Sequence, residues 1–155
     1  MKILSVHPDA RKKSFCVRTR RAAYPFPYAK LRVAPTSEDP VAEAFPDPEL
    51  GCEGFTYRLK SGAEDTIHLD TVLDFNKDAD YLQEQLLYRL TVEARKWFEE
   101  SGLGIRQLSR QLETSPSQVY RLLDTTNYRK SVGQMLALLH MLDRDVEVVV
   151  TPRGP

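Results

Sequence analysis

The chain has 155 residues, of which 41% are apolar and 28% charged, enough for one ordinary domain or two small ones with cores of their own. Met1-Lys-Ile-Leu-Ser5 lacks the apolar run and cleavage site of a secretory leader, and no stretch is long and apolar enough to span a bilayer, so a cytoplasmic protein with no membrane partner is expected. The 22 basic and 22 acidic residues cancel, which would argue against a nucleic-acid partner if they were mixed, but they are segregated along the chain.

Residues 1–33 carry Lys2, Arg11, Lys12, Lys13, Arg18, Arg20, Arg21, Lys30 and Arg32 against the single acid Asp9. From Ala34 to Asp80 acids prevail, with only Arg58, Lys60 and Lys77 opposing them, so the two stretches are expected to neutralise each other in one folded unit. Within it, Lys2–His7 and Ser14–Thr19 are rich in branched and aromatic residues and read as strands. The prolines of Tyr24-Pro-Phe-Pro-Tyr28 and of Pro35–Pro48 remove ladder donors, which predicts extended loops or edge strands. Phe55, Tyr57 and Leu59 alternate with polar residues, Ser61-Gly62 supplies a turn, and Ile67 and Leu69 alternate again, which is a hairpin. The β-like pattern runs to about Phe75.

After Asn76 the apolar period changes from two to about three and a half. Leu82, Leu86, Leu90, Ala94 and Phe98, with Leu87 and Trp97 beside them, predict a long helix capped by Asp80 and Gln83 and ended by Ser101-Gly102. Tyr88 joins Trp97 and Phe98 as a core candidate. The fold class is therefore α+β, with a β-rich domain over 1–78 followed by an all-α domain over 79–155.

Residues 105–124 have the spacing of a helix-turn-helix: a short amphipathic helix, a tight turn and a second helix. Leu108, Leu112, Val119 and Leu122 supply the contacts and Ser109 the small side chain where the helices press together. Ser115 caps the second helix, with Pro116 at its first position and Gln118 three residues beyond the cap. Ser115, Ser117, Gln118, Tyr120 and Arg121 then lie off the apolar stripe, and their donors and acceptors suit base edges and phosphates in a major groove. The loop that follows holds Asn127, Tyr128, Arg129 and Lys130, a phenol and two cations among them, where a phosphate contact would sit. Ser131 and Gln134 form a second capping pair for a closing helix to Leu142, and Asp145-Val-Glu-Val-Val-Val-Thr-Pro152 is a strand candidate that pairs within the molecule or with its twin.

The segment from about Leu90 to Pro152, through "LSRQLETSPSQVYRLL" and "MLALLHMLDRDVEVVV", resembles the Cro/C1-type, lambda-repressor-like helix-turn-helix of phage repressors and HigA-type antitoxins. The resemblance implies a DNA-facing role for Ser115, Pro116, Ser117, Gln118, Tyr120 and Arg121. The sequence departs from the family pattern at Glu113, where the turn usually has glycine, and at Gly104-Ile105, where a polar cap and a glutamine are usual; Arg106 is the candidate to meet the phosphate in their place. The implied function is that of a sequence-specific transcriptional regulator binding double-stranded DNA as a homodimer. The alternative is an antitoxin-like module whose N-terminal domain binds a protein partner, a toxin. Cys16 and Cys52 stand apart, His7, His68 and His140 are isolated, and no catalytic spacing occurs; no metal, cofactor or enzymatic activity is expected.

Overall fold

Alternating apolar and polar residues, broken by turn formers, build the first half of the chain as sheet. In the computed structural model, which describes residues 1–154, β1 (Ile3–Asp9), β2 (Ser14–Thr19) and β3 (Ala23–Pro27) form one antiparallel sheet in the order β1-β2-β3. β4 (Val41–Pro46), β5 (Gly54–Leu59) and β6 (Glu64–His68) form a second in the order β4-β5-β6. Five helices follow: α1 (Leu69–Asn76), α2 (Ala79–Ser101), α3 (Ile105–Gln111), α4 (Pro116–Leu123) and α5 (Val132–Met141). The protein is thus α+β. Both proline-containing segments became edge strands, β3 and β4, as the absence of amide donors requires. The hairpin formed too, with Phe55 opposite Ile67 and Thr56 opposite Thr66.

The chain divides into two units, Met1–Leu82 and from Gln83 onward; the division falls within α2 rather than at residue 78. In the first unit the two sheets share a core centred on Phe15. Its ring lies 5.2 Å from Tyr28, 5.1 Å from Phe55 and 5.2 Å from Tyr57, the first two edge-on. The buried Tyr57 hydroxyl donates to the Val33 carbonyl at 2.6 Å. Burial, helped by the neighbouring Asp65 carboxylate, pushes this phenol up to about 12, so it remains a neutral donor.

Three local expectations gave way. The strand read through Leu69 ends at His68, whose Nδ1 accepts the Asp70 amide at 3.2 Å and starts α1. Leu69, Val72 and Leu73 are buried together at helical spacing; Leu69 also continues the alternation of β6, which hid the change of period. The cap of α2 is Asp78, not Asp80: its carboxylate accepts the Tyr81 amide at 3.0 Å and the Tyr24 hydroxyl at 3.1 Å and also pairs with Arg21. Finally, the buried stripe of α2 is Leu87, Leu90, Thr91 and Ala94, whereas Leu82, Leu86 and Tyr88 are exposed.

Burial raises the Asp78 carboxyl, but the Tyr81 amide, the Tyr24 hydroxyl and Arg21 together outweigh it and hold the group below its usual range. A carboxyl depressed in the folded state contributes stability above its unfolded value, and that contribution is lost as the pH falls through the folded one. Asp78→Asn is therefore expected to destabilise the first unit by about 1–2 kcal/mol at neutral pH. The difference from the parent should shrink below pH ~4. Thermal melts at pH 7 and pH 3 check this; an equal difference at both would show that the charge is not what matters.

Candidate nucleic-acid interface

The second unit is built around α4. Val119, Leu122 and Leu123 form its buried stripe, and they pack with Leu108 of α3, Leu87 and Leu90 of α2 and Met135 and Leu138 of α5. Ser109, almost fully buried, turns its hydroxyl back to the Arg106 carbonyl at 2.8 Å, so the small residue at the crossing exposes no unpaired polar atom. Ser115 caps α4 as its residue type and position predict: its Oγ accepts the Gln118 amide at 3.2 Å, and Pro116 occupies the first turn. Of the reciprocal cap only this half forms at α4, whereas at α5 both halves form, through Ser131 and Gln134. Pro116 has no amide and that of Gln118 is used by the cap, which leaves the Ser117 amide without a partner among the described residues.

With one apolar stripe turned inward, the opposite side of α4 is left to solvent. Ser115, Pro116, Ser117, Gln118, Tyr120 and Arg121 are all exposed, and Tyr120 retains 62% of its surface, a large ring with nothing to pack on. Arg106 on α3 and Tyr128 and Arg129 after α4 are exposed as well. None of Arg106, Arg121 and Arg129 belongs to an ion pair among the described residues; every pair found lies between basic residues and acids of the first unit.

Two of the residues assigned to phosphate contact have other work. Lys130 is 5% exposed, and its ammonium donates to the carbonyls of Leu122 and Asp124, both at 2.9 Å. It thus satisfies orphan carbonyls at the end of α4, where a cation is also favoured by the helix dipole, and it is not free to meet a phosphate. Burial lowers its pKa and the Asp124 carboxylate opposes that change. Asn127 is half-buried: its Nδ2 donates to the Arg121 carbonyl at 3.1 Å and its Oδ1 accepts the Arg129 amide at 3.1 Å, so both ends of its amide serve the loop. The loop is further tied by Asp124, whose carboxyl is held low by the amide and hydroxyl of Thr126.

One exposed cation that sequence reasoning passed over lies on α3. Arg110 is exposed, lies four residues after Arg106 on α3 and has no ion partner among the described residues. Like charges at this spacing weaken a helix by a few tenths of a kcal/mol unless an anion bridges them. The i,i+4 spacing was visible in the sequence and is the signal that would have found it.

The turn between α3 and α4 passes through Glu113 with φ of 53°, the left-handed conformation that glycine adopts without strain and other residues adopt at a cost of roughly 1–2 kcal/mol. Glu113→Gly is expected to raise the melting temperature of this unit by a few degrees. The relief exceeds the backbone entropy that glycine adds to the unfolded chain. Calorimetry of the variant checks the sign: an unchanged or lower melting temperature would mean that Glu113 makes a compensating contact.

No helix among the described residues is long and apolar enough to cross a membrane, and no cluster of histidine, cysteine and acidic side chains there is arranged to hold a metal. Comparison with protein-family models, with curated proteins and with solved structures gives no match.

Proposed function

We propose that the protein is a sequence-specific DNA-binding regulator. In this reading α3 and α4 act as a lambda-repressor-like helix-turn-helix, with α4 entering the major groove of double-stranded DNA. The observation that carries it is the side of α4 turned away from the core: a cap that fixes the start of the helix, then Ser117, Gln118, Tyr120 and Arg121 exposed and unengaged by acidic partners. Glutamine suits adenine, arginine suits guanine, and the serine amide at a helix start suits phosphate. Arg106, Arg110 and Arg129 flank this surface as unpaired cations that suit backbone phosphates. Lys130 and Asn127 act beneath them by fixing the end of α4 and the loop that carries Tyr128 and Arg129.

A single eight-residue helix reads only a few base pairs, so the working form is a homodimer on half-sites about 34 Å apart. The direct test is a fluorescence-anisotropy titration against duplexes selected from a randomised library, over a salt series. The expected result is enrichment of a two-fold symmetric sequence, with log Kd rising steeply with log salt. Failure to enrich any sequence, with flat salt dependence, would favour the antitoxin-like module that neutralises a protein partner.

A further inference from the structure

The stretch after α5 is rich in strand-forming residues and yet forms no strand. Among the described residues Asp145–Val150 has no backbone hydrogen bond, the last one found being from the Arg144 amide to the Leu139 carbonyl. Val148, Val149 and Val150 are 84%, 80% and 89% exposed. The second unit holds only helices among its described residues, so it offers this segment no strand edge. The start of the segment is fixed, since the Arg144 guanidinium stacks 3.6 Å from the Trp97 ring centroid. An open groove of about 990 Å³ runs between it and α2, with Leu86, Val92, Val146 and Val148 in its lining, and Leu86, Tyr88 and Val92 of α2 are themselves exposed there. A β-branched run with unpaired amides beside an uncovered apolar helix face needs both a strand and a lid.

We infer that this segment pairs antiparallel with the same segment of a second copy, and that the resulting two-stranded ribbon closes over α2 of both copies. The chemistry of the segment is self-complementary. Side chains alternate across a strand, which puts Val146, Val148 and Val150 on one face and Asp145, Glu147, Thr151 and Arg153 on the other, with Val149 between the charged residues. A two-fold axis through Val149 sets Val148 opposite Val150, Asp145 opposite Arg153 and Glu147 opposite Thr151 of the second copy, so apolar meets apolar and no two carboxylates face each other. Centring on Glu147 would oppose two carboxylates. The pairing is isologous and closes as a dimer, leaving no valine edge to propagate. This deepens the dimer half of the function proposed above but does not depend on DNA.

Sedimentation equilibrium of the full chain tests it. The parent is expected to be dimeric at micromolar concentration. In the double variant Val148→Asp, Val150→Asp, which brings carboxylates face to face at solvent-exposed positions, the dimer dissociation constant should rise at least tenfold with an unchanged circular-dichroism spectrum. In a Cys16→Ser, Cys52→Ser background, Val149→Cys should oxidise to a linked dimer faster than Val148→Cys, because only residue 149 faces itself across the axis. A parent that is monomeric, a valine variant that stays dimeric, or equal cross-linking at the two positions would overturn the inference. The monomeric valine variant should still bind duplex DNA weakly and in a salt-dependent way. A Gln118→Ala, Arg121→Ala variant should lose its preference for the selected duplex while remaining dimeric. Dimerisation without any DNA binding by the parent would therefore defeat the proposed function and leave this inference standing.

Discussion

Replacing Gln118 and Arg121 together by alanine is expected to weaken binding to the selected duplex by about 3 kcal/mol or more, over a hundredfold. Each bidentate base contact discriminates by roughly 1–3 kcal/mol, and a dimer makes each contact twice. The two residues lie three apart on the exposed side of α4, so their effects are expected to couple rather than add. Affinity for a scrambled duplex should fall much less, because Arg106, Arg110 and Arg129 remain to meet phosphates. The readout is therefore the ratio of the two affinities at fixed salt. Neither side chain reaches into the core and α4 keeps its Ser115 cap, so the melting temperature should not move. If the variant retains the parent's preference for the selected duplex, α4 is not the reading element and the regulator reading falls.

The largest stability effect is expected at Phe15. This ring is fully buried and touches Tyr28, Phe55 and Tyr57, joining the sheet of β1–β3 to that of β4–β6. Phe15→Ala removes it from the centre of a rigid cluster of rings that cannot collapse into the space, and such changes cost about 3–5 kcal/mol. That is a large share of the stability of a unit of this size, and the melting transition of the first unit should drop by roughly 15 °C or more. The second unit has a separate core, and its Trp97 is the chain's one tryptophan. Tryptophan fluorescence should therefore melt as in the parent while amide exchange in β1–β6 accelerates. A common shift of both signals would show that the two units unfold as one.

Residues in this chain were legible in proportion to how local their determinants are. The caps at Ser115 and Ser131, the proline at the start of α4 and the hairpin around Gly62 each depend on neighbours within four or five positions, and each is found where the sequence puts it. The exposed side of α4 was legible as well, because an amphipathic helix that buries Val119, Leu122 and Leu123 has only one side left to present.

What only the tertiary structure decided depends on partners distant in sequence. Leu82 and Leu86 have the periodicity of a core stripe, yet they are exposed; a period says which residues share a side, not whether that side meets another element. Lys130 looks like a surface cation until the end of α4 supplies two carbonyls eight and six residues away for its ammonium. The valines from 146 to 150 show by their β-branching that they belong in a strand. That no strand edge exists for them within their own unit is a property of the fold, since backbone pairing needs a second segment that composition cannot supply.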